Sequence, residues 1–104
     1  MYLDALQDVD RLANTTDAMR VQLMLAGFEA MLLDEEADTG RTVDPDDACV
    51  RAFFAHQGIV LRTTRQAAEA RVATGRVLRD TLPQTWAAFT AGAATERAVT
   101  VAAE

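Results

Sequence analysis

The sequence predicts an all-α fold, a compact bundle of five to six helices around one long central helix, with residues 1–104 forming a single domain. Three observations lead there. Half of the 104 residues are hydrophobic, while Gly occurs only five times and Pro twice; Ala, which recurs throughout, gives up no side-chain entropy in a helix, and breakers are scarce. Apolar residues return at three- and four-residue spacing along most of the chain. Between these runs stand the residue types that start and stop helices.

Leu3, Leu6, Val9 or Asp10, and Leu12-Ala13 predict a short first helix ending near Asn14-Thr15-Thr16. A long second helix follows from Asp17 to about Ala37. Val21, Met24-Leu25, Phe28 and Met31-Leu32 make one apolar stripe on it, and Leu23, Ala26, Ala30 and Leu33 make another. Two apolar faces imply burial on both sides, so this helix is the expected centre of the fold. The stretch from Asp38 to Val43, polar and holding Gly40, reads as a loop.

Asp44-Pro45-Asp46-Asp47 then offers a cap, a Pro at the first helical position and acids in the first turn. The predicted helix runs to about His56, with Cys49-Val50, Phe53-Phe54, Ala52 and Ala55 on its buried side and Gln57-Gly58 ending it. Ile59-Val60-Leu61 are expected to pack as an anchored turn. Thr63 with Gln66, or Thr64 alone, caps the next helix, which reaches about Asp80. Its expected inner face is built from Ala67, Ala68, Ala70, Ala73 and Gly75, with Val77, Leu78 and Leu82 filling the far end.

From Val77 to Glu104 the chain breaks and restarts a helix twice. Thr81 and Gln84 have the spacing of a capping box, with Pro83 in the first turn, where its missing N–H costs nothing. Gly92 suits the left-handed conformation that closes a helix, and Thr95-Glu96 caps the next. That last helix reaches Glu104 with no Gly, Pro or basic residue to close it, which predicts either a longer original reading frame or a shortened relative of a longer protein.

Leu78, Leu82-Pro83, Thr85, Ala88, Gly92 and Arg97-Ala98, in this spacing, resemble the C-terminal half of the domain-of-unknown-function 222 (DUF222) family, the actinobacterial 13E12-repeat proteins. Leu6, Leu12, Arg20 and the apolar helix after them extend the similarity over nearly the whole chain, most densely from about Ala67 onward. The resemblance implies the N-terminal domain of an HNH-endonuclease-type protein. The nuclease half is absent: an HNH module needs paired Cys, several His and an Asn, whereas this chain offers only Cys49, His56 and Asn14. Membership of the family therefore implies an accessory module and not a catalyst.

Charge is uneven. The first fifty residues carry twelve acids and three Arg, the remainder four acids and seven Arg, for a net charge of −6; Lys is absent. An acidic chain binds nucleic acid poorly unless cations cluster, and only the second half could supply them. One Cys excludes an internal disulfide and fits a reduced compartment. Met1-Tyr-Leu-Asp lacks the basic start and apolar core of a signal peptide, and the apolar run Leu23–Leu33 falls short of the ~20 residues of a membrane span. A cytoplasmic protein without a membrane role is expected.

Few constellations carry chemistry. A helix-turn-helix over Asp46–Asp80 would present Arg62, Thr63, Thr64, Arg65 and Gln66 to phosphate oxygens; its expected connection, Gln57 to Arg62, exceeds the usual three or four residues. Arg65, Glu69, Arg76 and Asp80 also match a solvated stripe of i,i+4 ion pairs. The acids from Asp34 to Asp47 are out of register with a calcium loop. Cys49 and His56 share a face but sit two turns, roughly 10 Å, apart, so no metal pair or nucleophile–base pair follows. Trp86 with Phe89 and Phe53 with Phe54 read as core anchors. No catalytic, cofactor-binding or metal residues are expected. Arg62, Arg65, Arg76 and Arg79 are the candidate contacts to nucleic acid or an acidic partner. The implied partners are a nucleic-acid target, an HNH nuclease domain or a second copy of the chain; the alternative function is an oligomerisation or protein-interaction scaffold that binds no nucleic acid.

Overall fold

One helix of 38 residues, α1 (Tyr2–Thr39), stands where two were expected. The computed structural model describes all 104 residues and contains four further helices, α2 (Ala48–Leu61), α3 (Arg65–Thr81), α4 (Pro83–Thr90) and α5 (Glu96–Ala103), and no strand. Asn14-Thr15-Thr16 fails to break α1 because the hydroxyls turn inward. Thr15 Oγ1 donates to the Arg11 carbonyl at 2.8 Å and Thr16 Oγ1 to that of Leu12 at 2.9 Å. Hydroxyls bound one turn back cannot cap a new helix start, and the propensity penalty of three such residues, roughly 0.5 kcal/mol each, is small beside what packing returns.

The chain divides into two compact units, one of Met1–Gln22 with Thr74–Glu104 and one of Leu23–Ala73. In the first, Ala18 and Val21 of α1, Leu78 of α3, Phe89 of α4 and Val99 of α5 are buried. In the second, Met24, Leu25 and Phe28 of α1, Val50 and Phe54 of α2, and Ala68 and Val72 of α3 are buried. Phe28 stacks on Phe54 at 5.0 Å, and Phe53 meets Phe54 edge-on at 5.5 Å. Burying a side chain such as Phe54, Leu78 or Phe89 stabilises by about 1.5–3 kcal/mol. No polar or charged residue is buried.

Only one of the two expected faces of the long helix is covered. Val21, Met24, Leu25 and Phe28 are buried, whereas Leu23 and Leu33 remain 72% and 68% exposed and Ala26 and Ala30 also face outward. On α3 the inner face is likewise narrower than expected: Ala68, Val72, Gly75 and Leu78 are buried at three- and four-residue steps, while Ala70, Ala73 and Val77 turn out to solvent.

The connections differ from expectation for local reasons. Asp44–Asp47 forms a turn before α2, not its first turn: the Asp46 N–H donates to Asp44 Oδ1 at 2.8 Å and the Asp44 N–H to Asp47 Oδ2 at 3.2 Å. Carboxylates used this way cannot cap, and α2 begins at Ala48 behind Asp47, with no side-chain cap bond. Gly58 does not end α2. It lies buried inside the helix, where a Cβ would stand 2.9 Å from the Thr63 carbonyl oxygen. Glycine is needed there because the chain folds back over it: Thr63 N–H donates to Gly58 O at 2.8 Å and Arg62 N–H to Ile59 O at 3.2 Å, a Schellman closure with Arg62 left-handed at φ 55°. Ile59 and Val60, expected to anchor a turn, are helical and 77% and 68% exposed.

The Thr81–Gln84 capping box does not form. Thr81 stays in α3, and Leu82, kept out of the helical region (φ −126°, ψ 65°) before the proline, precedes α4 without a side-chain cap. The later punctuation forms as expected. Gly92 adopts φ 79°, with Gly92 N–H donating to Phe89 O and Ala93 N–H to Ala88 O. Thr95 Oγ1 accepts the Ala98 N–H at 3.1 Å. Gly92 also packs directly on α1: a Cβ would collide with the Thr15 hydroxyl and stand 2.8 Å from the Arg11 carbonyl oxygen, and Asn14 Nδ2 donates to the Gly92 carbonyl at 3.3 Å.

Two stability measurements check this account. Gly92→Ala adds left-handed strain to that collision and should cost about 2–4 kcal/mol in urea denaturation; a loss below about 1 kcal/mol contradicts the close approach. Arg62→Gly removes Cβ strain at a left-handed position and should stabilise by about 0.5–1 kcal/mol, and a destabilised variant would refute the Schellman closure.

Candidate functional site

The four candidate arginines do not form one patch. Arg62 occupies the exposed left-handed position after α2, and Arg65 opens α3. Arg76 and Arg79 lie in the last two turns of that helix, 11 and 14 residues past Arg65, a rise of roughly 16–21 Å. Arg65 Nη1 contacts Glu69 Oε1 at 2.8 Å. Arg79 grips the neighbouring carboxylate with two bonds, Nε to Asp80 Oδ1 at 2.8 Å and Nη2 to Oδ2 at 3.3 Å. The expected i,i+4 ion pair Arg65–Glu69 is present, and Asp80 takes hydrogen bonds from Arg79 and feels the charge of Arg76, four residues before it.

The helix-turn-helix expectation changes in two opposing ways. Because α2 continues to Leu61, the connection to α3 is only Arg62-Thr63-Thr64, within the usual length. Thr64 Oγ1 accepts the Ala67 N–H at 3.0 Å and caps α3. Yet the outward positions of α3 after its first turn are Ala70, Ala73, Arg76, Val77 and Asp80. Base edges are read by hydrogen-bonding side chains, and two alanines and a valine supply none.

Cys49 and His56 border an open cleft of about 560 Å3 between α1 and α2, with Met31, Glu35, Phe53 and Gln57 around it. Cys49 is half-buried, at the edge of the core as a core or core-edge reading expects, whereas His56 is exposed. The cleft is mostly apolar, and no three His, Cys, Asp or Glu residues in the protein converge as metal ligands. Gln57 Oε1 is buried there without a hydrogen-bond partner. One unsatisfied amide oxygen beside apolar walls gives neither a nucleophile nor an acid–base pair.

The most extensive unassigned feature is the outer face of α1. Tyr2, Val9, Thr16, Leu23 and Ala30 repeat every seven residues, and Ala5, Leu12, Met19, Ala26 and Leu33 repeat three residues behind them; all ten are exposed. Nine of the ten, all but Thr16, are apolar or aromatic, and the spacing is the a/d spacing found where helices pair. As a seam, sequence reasoning saw only its last four members; of the first six it placed Val9 and Leu12 on a separate short helix and did not single out Tyr2, Ala5, Thr16 and Met19, because a helix end placed at Asn14–Thr16 cut the register. The signal was the 3–4 spacing that continues on either side of Thr16.

The Arg79 hydrogen bonds, with help from the charges of Arg79 and Arg76, hold the Asp80 carboxyl below the ordinary aspartate range. A depressed carboxyl favours folding while ionised: its contribution is present above the ordinary aspartate value and fades as pH falls through the lowered one. Arg79→Met should raise the Asp80 titration midpoint measured by NMR, and an unchanged midpoint would show that the pairing is not populated in solution.

No helix is long and apolar enough to cross a membrane. Comparison with protein-family models, curated proteins and solved structures gives no match.

Proposed function

We propose that this chain is a non-catalytic helical docking module, the accessory part of a larger assembly. One observation carries the reading: nine of the ten a and d positions along α1, all but Thr16, are apolar or aromatic, and nothing from the chain covers them. Monomeric proteins rarely leave contiguous apolar patches beyond roughly 300–600 Å2 exposed, and larger ones mark interaction sites. The resemblance to the DUF222 family supports a cytoplasmic HNH nuclease domain, on the same or another chain, as the catalytic member of that assembly.

Engagement of nucleic acid is the second reading, favoured by the three-residue turn that leaves Arg62 and Arg65 beside the start of α3. It ranks below docking because Arg65 and Arg79 already hold carboxylates and α3 presents alanines outward.

Both are tested with the full chain. A labelled helical peptide with Leu at its a and d positions and Gln at e and g should bind it. Leu12→Ser/Leu23→Ser should abolish that binding while changing stability by no more than about 0.5 kcal/mol, since both residues are exposed. Retardation of duplex DNA at low salt that disappears in Arg62→Ala/Arg65→Ala, with no peptide binding, would replace docking by the nucleic-acid reading.

A further inference from the structure

We infer that the outer face of α1 receives a basic amphipathic helix, one whose apolar seam is flanked by Lys or Arg. The inference rests on the docking reading and adds the chemistry of the partner. α1 is 38 residues long, roughly 57 Å, and can take a partner helix along its length. Tyr2, Leu6, Val9, Leu12, Met19, Leu23 and Leu33 are each more than half exposed. Together they offer roughly 800 Å2 of side-chain surface, about one partner's share of a standard stable interface.

Charge selects the occupant. α1 carries nine acids and two Arg. Its g positions are Asp8, Thr15, Gln22, Glu29 and Glu36, without a cation, and its e positions hold only Arg20 and Asp34 as charges. In paired helices the e and g residues meet those of the partner and set its identity and direction. A second copy sets one acidic helix against another in either direction, each with nine acids to two Arg. A helix with Lys or Arg at its e and g positions turns that repulsion into an attraction and is steered to the face by the field of the acids.

The test uses the full chain and three labelled 35-residue peptides at nanomolar concentration, each with Leu at a and d, carrying Lys, Gln or Glu at e and g; a fourth has Lys flanks but Ser at a and d. Fluorescence anisotropy should show the Lys-flanked peptide binding about tenfold tighter than the Gln-flanked one in 50 mM NaCl, the Glu-flanked one weaker than both, and the preference shrinking by 500 mM. Asp8→Asn/Asp34→Asn/Glu36→Gln should reduce the Lys preference at least threefold and leave Gln-peptide binding intact. Val9→Ser/Leu12→Ser/Leu23→Ser, with its helical circular dichroism retained, should lose all binding. Equal affinity for the Lys and Gln peptides overturns the basic partner while sparing the docking reading; no binding of the Gln peptide overturns both. Equal binding of the Ser-seamed Lys peptide shows charge attraction alone and also overturns the proposal. Sedimentation should give a monomer at micromolar concentration, and a dimer that strengthens with salt would assign the face to a second copy.

Discussion

A helix with apolar residues on two opposite faces needs two partners, and this chain supplies one. Ala18, Val21, Met24, Leu25 and Phe28 of α1 are buried, so the orientation of the helix about its own axis is decided by that face. Everything on the other side follows from the geometry of 3.6 residues per turn: once Val21 and Phe28 point inward, Met19, Leu23, Ala26 and Ala30 must point out. The outward seam is therefore a consequence of core packing, and its exposure reflects no lack of hydrophobicity in the residues that form it.

The same logic explains where the small residues act. Gly58 and Gly92 are both points where backbone comes against backbone. The Thr63 carbonyl lies over Gly58, and the Arg11 carbonyl with the Thr15 hydroxyl lies over Gly92. Gly92 combines this approach with a left-handed φ, whereas at the end of α2 the two demands are divided between Gly58, which gives room, and Arg62, which takes the left-handed conformation. Thr15 and Thr16 serve α1 as well, since each hydroxyl is satisfied by a carbonyl one turn back and leaves no unpaired group on the outward face.

Chemistry at the surface is sparse for a related reason. The cations of α3 sit beside acids of the same helix, so much of their charge is answered locally. The acids of α1 have few such neighbours among only two Arg. α1, with nine acids to two Arg against four Arg to two acids on α3, carries the larger unbalanced charge, and it borders the apolar seam. The proposed docking surface takes its preferred sign of charge from this coincidence on one helix.

Composition and spacing alone determined the all-α class, the Gly92 closure, the Thr95 cap and the buried stripe of Val21, Met24, Leu25 and Phe28, because these depend on local backbone chemistry and helical periodicity. The boundaries at Asn14–Thr16, Asp44–Asp47 and Thr81 were not legible. Ser, Thr and Asp side chains bond equally well to a helix start, to a turn or to the preceding helical turn, and tertiary packing chooses among them. The cleft beside Cys49 and His56 was visible only as a shared helix face, and the seam only in its last four residues. Which apolar face of α1 is covered depends on the surface its neighbours can bury, and only the tertiary structure decided it.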